Sequence, residues 1–287
     1  MRPLRLGLIS FVNTLPLIRG LEVQKTEGFE LIYDRPSALA DRLRHGELDC
    51  ALIPVVEFFR GVGDAIVPDL CIASDGPVGT IRFIARKPLR EIRRVLVDKS
   101  SRSSVAMLRL LLKRTHDIEP DFHIYDVRPD APFMTPAGEE GDAVLIIGDL
   151  AMDLDPGEVE LDVDLGDWWH RSFHRPFVYA VWAYREREDE KIGETLTGLL
   201  QESYQLGLEE KDILVEEAAI GHNWSEDRVR RYLNEQIHFD LDASAIDGLR
   251  LFHRLCVEDH LAPNRLSVEG VLSRLGENAL AMAAPAP

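Results

Sequence analysis

Two stretches of this 287-residue chain set hydroxyl and amide side chains where a strand gives way to a helix. In the first, the apolar run Leu4–Leu8 leads into Ile9-Ser10-Phe11-Val12-Asn13-Thr14-Leu15-Pro16-Leu17. Pro16 falls in the first turn of the following helix, where proline is tolerated, and Asn13 or Thr14 stands ready to cap it. In the second, Val97-Asp98-Lys99-Ser100-Ser101-Arg102-Ser103-Ser104-Val105, four serines and an arginine lie between a strand and a helix beginning near Ser103. The opening N–H groups of a helix lack partners inside it, so such junctions hold carboxylates and phosphates well. Capping alone needs one hydroxyl. Ser10 and Asn13 at one junction, and Ser103 and Ser104 at the other, therefore point to a cleft built for a small anion.

Two further places can serve that cleft. Ser74 and Thr80 bracket the turn Asp75-Gly76-Pro77-Val78-Gly79, which enters a strand expected to cross between lobes. Gly148-Asp149 ends the strand Ala143–Ile147, and Asp149 can cap the next helix, hold a serine or arginine, or act as a base. Trp168-Trp169 and Phe173 can pack between lobes or wall an aromatic ligand. The nine histidines show no HxxxH or HxH spacing, and the chain has no phosphate-cradling glycine loop and no GxSxG elbow. No metal ligand set and no cofactor motif is read from it.

The elements that position these residues alternate. Strands are expected at Phe29–Tyr33, Asp49–Pro54, Thr80–Arg86, Arg94–Asp98, Ala143–Ile147 and Phe177–Arg185, with helices at Pro36–Leu43 and Val105–Lys113. From Arg185 to about residue 275 the pattern reads as helical, followed by an Ala- and Pro-rich tail. Strands alternating with helices make an α/β protein. The economical architecture is two lobes joined by crossing strands, residues 1–86 with 186–287 forming one and 87–185 the other, with the ligand in the cleft between them.

A net charge of −17 repels nucleic acid and anionic membrane surfaces. The cysteines Cys50, Cys71 and Cys256 are scattered and odd in number, as in a reduced, cytoplasmic setting. Arg2 and Arg5 before an apolar run imitate a secretory signal, but Asn13, Thr14 and Pro16 interrupt the run and no small-residue cleavage site follows. A soluble cytoplasmic protein is expected.

In motif order, five segments resemble the chorismate dehydratase family, which opens the futalosine route to menaquinone. They are Ile9–Leu17, Ser74-Asp75-Gly76-Pro77-Val78, Ser101-Arg102-Ser103-Ser104-Val105-Ala106, Leu145-Ile146-Ile147-Gly148-Asp149 and Pro176-Phe177-Val178-Tyr179-Ala180-Val181-Trp182. The resemblance implies a type II periplasmic-binding-protein-like fold used inside the cell as a hydro-lyase. The reaction it implies converts dianionic chorismate to 3-[(1-carboxyvinyl)oxy]benzoate and water without metal or organic cofactor. It places one substrate carboxylate at Ser103 and Ser104 and the other near Asn13 and Ser74. Thr80, Ser10, Gly148 and Asp149 complete the substrate-binding set, and Asn13 holds the enolpyruvyl carboxylate that acts as base. Two departures stand out: Ser103 replaces the usual threonine, and His174-Arg175 replace an expected Gly-Leu, which brings a cation toward the cleft. The rival readings are the enzyme that makes 1,4-dihydroxy-6-naphthoate in the same pathway, whose opening segment carries cysteine, proline and aspartate, and a non-catalytic binder of aromatic carboxylates.

Overall fold

The computed structural model describes residues 2–24, 28–186 and 191–283. The chain opens with β1 (Leu4–Leu8), α1 (Leu15–Val23), β2 (Phe29–Tyr33), α2 (Pro36–Arg44), β3 (Cys50–Pro54), α3 (Val55–Phe59) and β4 (Ala65–Ser74). It crosses to β5 (Ile81–Ala85), β6 (Arg94–Asp98), α4 (Ser103–His116), β7 (Asp121–Tyr125), β8 (Ala143–Ile147), α5 (Asp149–Asp153), β9 (Leu161–Asp164) and α6 (Leu165–Phe173). It returns through β10 (Phe177–Tyr184) to α7 (Ile192–Glu209), α8 (Lys211–His222), α9 (Glu226–Arg231), a wide π turn at Tyr232–Gln236, β11 (His238–Asp240), α10 (Ala243–Glu258) and α11 (Leu266–Ala283).

Two sheets result. The first has the order β11-β4-β10-β3-β1-β2 and the second β7-β6-β8-β5-β9. In each, the βαβ units pair in parallel and a returning strand pairs antiparallel: β10 against β3 and β4, β5 against β8 and β9. The central strand β3, Cys-Ala-Leu-Ile-Pro, is buried throughout, as expected of a strand covered on both faces.

Sheet membership moves the lobe boundaries expected from sequence. Strand 81–85 lies in the second sheet and strand 177–184 in the first, so the chain crosses at 75–80 and again between Asp164 and Phe177, not at 86 and 185. Lys87-Pro88 follow the end of β5, whereas hydrogen-bonded neighbours decide which sheet holds a strand. The region read as helical to residue 275 also contains β11, an edge strand on β4. The tail expected after 277 begins as helix, since α11 runs to Ala283, and residues 284–287 lie outside the described residues.

One apolar core runs through both lobes. Phe83, Val95, Val97 and Leu145 of the second sheet join it, while Ile84, Leu96, Val144 and Ile146 face a separate cluster with Tyr125, Phe133, Ala151 and Leu154. The period-two alternation of β5, β6 and β8 produces this division. α7 closes on α1 through small residues: a Cβ at Gly207 would stand 2.0 Å from Pro16 O, and Ser203 Oγ donates to Leu17 O at 2.8 Å. The cysteines are buried free thiols. Trp169, packed against Phe173, Phe177 and Phe252, belongs to the core.

Candidate active site

The loop from β1 to α1 is fixed by Thr14, whose hydroxyl donates back to Ile9 O at 2.6 Å and Phe11 O at 2.7 Å. No side chain caps α1. The N–H of Val12, in the one-turn segment that precedes α1, points to the carboxylate of Asp149, 3.3 Å from each oxygen. The anion at the first junction is thus one the protein supplies from its own second lobe. Asn13 lines the cleft there, and its Oδ1 is buried without a protein partner.

The second junction is arranged differently. Asp98 Oδ1 accepts from the N–H of Ser100 at 2.6 Å, and no side chain caps α4. Ser103 Oγ accepts from the N–H of Val56 at 3.3 Å and donates to Tyr179 O at 2.9 Å, stapling α4 to the first lobe. Ser101 Oγ is buried and unpartnered, and Ser104, only 5% exposed, has no protein partner among the described residues. Arg102 is committed to carboxylates of the protein itself. Its guanidinium pairs with Asp41 at 2.7 Å and with Glu57 at 3.3 Å, and the buried Glu57 also holds Arg44 and Arg60.

Between these junctions lies a cleft of about 570 Å³, measured out to its open mouth. Its apolar wall includes Ile9, Phe11, Ile72, Val78, Ile147 and Ile237; its polar groups are Asn13, Thr80, Ser100, Ser101, Ser103, Ser104 and Tyr179. Arg102 is the one cation among the lining residues, which include no carboxylate, imidazole or thiol. Burial holds the Tyr179 phenol well above its ordinary pKa, so it stays protonated.

Of the residues expected from sequence, the cleft gathers Asn13, Thr80, Ser103, Ser104 and Gly148. Three stand elsewhere. Ser10 is exposed and does not line the cleft. Ser74 is buried behind it, donating to Gly76 O at 3.1 Å and bonded to Tyr179 Oη at 2.9 Å, so it supports the crossing turn. Asp149 is the inter-lobe anchor already described, with His222 Nε2 at 3.8 Å. His174 and Arg175 are exposed and are not among the lining residues, so the expected cation from that loop is not found in the cleft. Sequence reasoning passed over Tyr179, inside a motif, and Tyr232, whose hydroxyl lies 2.9 Å from Thr80 Oγ1. A tyrosine in a helical run carries no signal of its target.

Phe11 lines the cleft and lies against Gly148. A Cβ on Gly148 would stand 3.0 Å from the Phe11 ring, and φ is +71°, a conformation that glycine alone adopts without strain.

A two-lobed α/β fold with an inter-lobe cleft is the architecture of type II periplasmic-binding-protein-like proteins. Solved structures agree: a protein of Archaeoglobus fulgidus superposes with TM-score 0.70 at 18% identity, over 90% of this chain and 98% of its own. The alkanesulfonate-binding protein of Xanthomonas axonopodis, solved with MOPS, gives 0.65 at 18% identity over 94% and 98%. The sequence matches the menaquinone biosynthesis family over residues 4–258, and the chain belongs to that family. The chorismate dehydratase of Thermus thermophilus is 32% identical over 203 residues, which is 64% of this chain and 71% of that protein. Among the described residues no helix is long and apolar enough to cross a membrane.

Proposed function

We propose that this chain is a chorismate dehydratase, a hydro-lyase that converts chorismate to 3-[(1-carboxyvinyl)oxy]benzoate and water in menaquinone biosynthesis. Membership of the menaquinone biosynthesis family and the identity with the Thermus thermophilus enzyme support the reading. A cytoplasmic setting goes with such a biosynthetic role, and buried free thiols suit it.

The observation that carries the mechanism is the absence of any carboxylate, imidazole or thiol among the lining residues. Proton removal from the ring then falls to the substrate itself. Its enolpyruvyl carboxylate takes the proton from the adjacent ring carbon, the C–H electron pair becomes the new ring double bond, and the neighbouring C–O bond breaks. The departing hydroxide takes up a proton and leaves as water, and aromatisation supplies the driving force. The protein's task is orientation and hydrogen bonding. The α4 N-terminus with Ser101 and Ser104 receives the ring carboxylate, and Asn13 orients the enolpyruvyl carboxylate. Ile9, Ile72 and Ile147 enclose the ring and exclude water.

The test is incubation with chorismate, followed by liquid chromatography with mass detection. A product lighter by one water with benzoate absorbance is expected, and Asn13→Ala should lower turnover with the fold intact. Chorismate recovered unchanged, with the melting temperature raised by its presence, would make the chain a binding protein instead.

A further inference from the structure

The turn between α8 and α9 aims one side chain at the other lobe. Asn223 ends α8 in the left-handed conformation, at φ +55°, where asparagine is tolerated. Ser225 opens α9, its hydroxyl accepting from the N–H of Arg228 at 3.3 Å. Trp224 lies between them, and its ring is buried. Its indole N–H donates to the carboxylate of Asp153, in α5 of the second lobe. Indole has that one donor and no acceptor. The core residues Trp169 and Trp182 leave theirs without a protein partner, so burying the ring does not by itself call for such a bond.

Further contacts close on the same place. Arg228 donates to Met152 O, and its guanidinium stands 3.7 Å from Asp153. The guanidinium also lies 5.0 Å from the centre of the Trp224 ring, on which His222 stacks at 4.5 Å. Both sides of this contact are anchored. In the first lobe Arg19 of α1 holds Glu217 of α8 at 3.2 Å. In the second, Arg82 of β5 donates to Ala151 O at 2.7 Å and to Leu154 O at 2.8 Å, so α5 moves with its own sheet. α5 also borders the cleft directly: it follows Gly148, a lining residue, and its Asp149 holds the N–H of Val12 beside Asn13.

Resting on the chorismate reading above, we propose that Trp224 is a positioning residue that, with Arg228, latches α5 and holds the cleft closed on its substrate. On the α4 side the lobes share an apolar core, and parting them there would expose it to water. The bonds at Asp153 are polar and its carboxylate is half-exposed, so water can replace them when the cleft opens. Trp224 is not among the lining residues and acts through α5. Closure brings the loops carrying Gly148 and Asn13 onto the substrate and excludes water. A weakened latch lowers the population of closed protein and the apparent affinity by the same factor, whereas substrate held in the closed cleft reacts as before.

The experiment is steady-state turnover of chorismate by wild type, Trp224→Phe, Asp153→Ala and the double variant, with amide hydrogen exchange of each free protein. Trp224→Phe keeps a ring for His222 and Arg228 but has no N–H to give. It is expected to raise KM about tenfold, the value of one hydrogen bond to a charged acceptor, with kcat no lower than wild type. Exchange across residues 147–154 should quicken in the free variant and slow again under saturating chorismate. Asp153→Ala removes the acceptor from an exposed position and should raise KM at least as much, and the double variant should match it, because the indole N–H has no task once the carboxylate is gone. Wild-type KM in Trp224→Phe, a loss confined to kcat, or KM losses that multiply in the double variant would overturn the inference. Should Trp224→Phe fail to fold, Asp153→Ala carries the test, and wild-type KM there counts against the latch. A wild-type protein that leaves chorismate untouched would remove the reading on which the inference stands. The exchange comparison then still decides the latch, and equal rates in wild type and Trp224→Phe would refute it.

Discussion

Ser103 Oγ, at the start of α4 in the second lobe, donates at 2.9 Å to the carbonyl oxygen of Tyr179 in the first. Ser103 Oγ also accepts from Val56 N–H, so this hydroxyl is committed to protein backbone on both sides. Ser104, one residue on, is free to serve a ligand.

The two neighbours should therefore separate in mutagenesis. Ser103→Ala strands a buried carbonyl and a buried N–H and is expected to cost about 2 kcal/mol of stability or more. Ser104→Ala should stay within about 0.5 kcal/mol of wild type, as removal of an uncommitted hydroxyl does, while raising KM for chorismate. Urea denaturation read beside KM checks both. Equal stability losses would mean that Ser104 is structural as well.

Salt gives a prediction of sign. The protein carries a net charge of −17, and Arg102, the one cation among the lining residues, is held by Asp41 and Glu57. A dianionic substrate approaches against the field with no unpaired cation to draw it in. Raising ionic strength screens that repulsion, so kcat/KM is expected to rise a few-fold between low and moderate salt. A fall would show that the Arg102 guanidinium leaves its carboxylates and turns to substrate.

These commitments explain what the sequence conveyed and what it did not. Both strand-to-helix junctions were legible, because Pro16 and the serine cluster before Val105 are local signals. The partner of each junction was not local. Val12 receives Asp149 from far along the chain, and Arg102 is taken by carboxylates of α2 and α3. The strand at 81–85 was recognised by its alternation, but its sheet depends on pairing with β8 and β9. Residues 238–240 form a strand because β4 offers an edge there, whatever the helical character of their surroundings.

Gly148 separates conformation from contact. At φ +71° and ψ −161° a side chain is strained, at a cost of about 1–3 kcal/mol. The added carbon also meets the Phe11 ring at 3.0 Å. Gly148→Ala is expected to lower the melting temperature and displace the Phe11 ring from its place in the cleft wall, raising KM. Phe11→Ala in the same background should restore the room but not the stability, since the backbone strain persists.

Asp149 should make stability fall as pH rises. Burial pushes its pKa from 3.8 to about 6, against the opposing pull of His222 and the Val12 N–H, while Asp153 adds to the rise. Between about pH 4 and pH 6 the folded chain then holds a proton that the unfolded chain has released, so this group's contribution declines with increasing pH. Its cost is complete above pH 6 and absent below about pH 4. A shift of this size corresponds to about 2–3 kcal/mol, with little screening, since the side chain is only 13% exposed. Asp149→Asn is neutral at every pH and keeps an oxygen for Val12. The variant should therefore be more stable than wild type near pH 7, with the advantage shrinking to nothing near pH 4. Melting curves of both proteins across that range decide it. A variant less stable at pH 7 would mean that the charge draws the lobes together and that His222 outweighs burial.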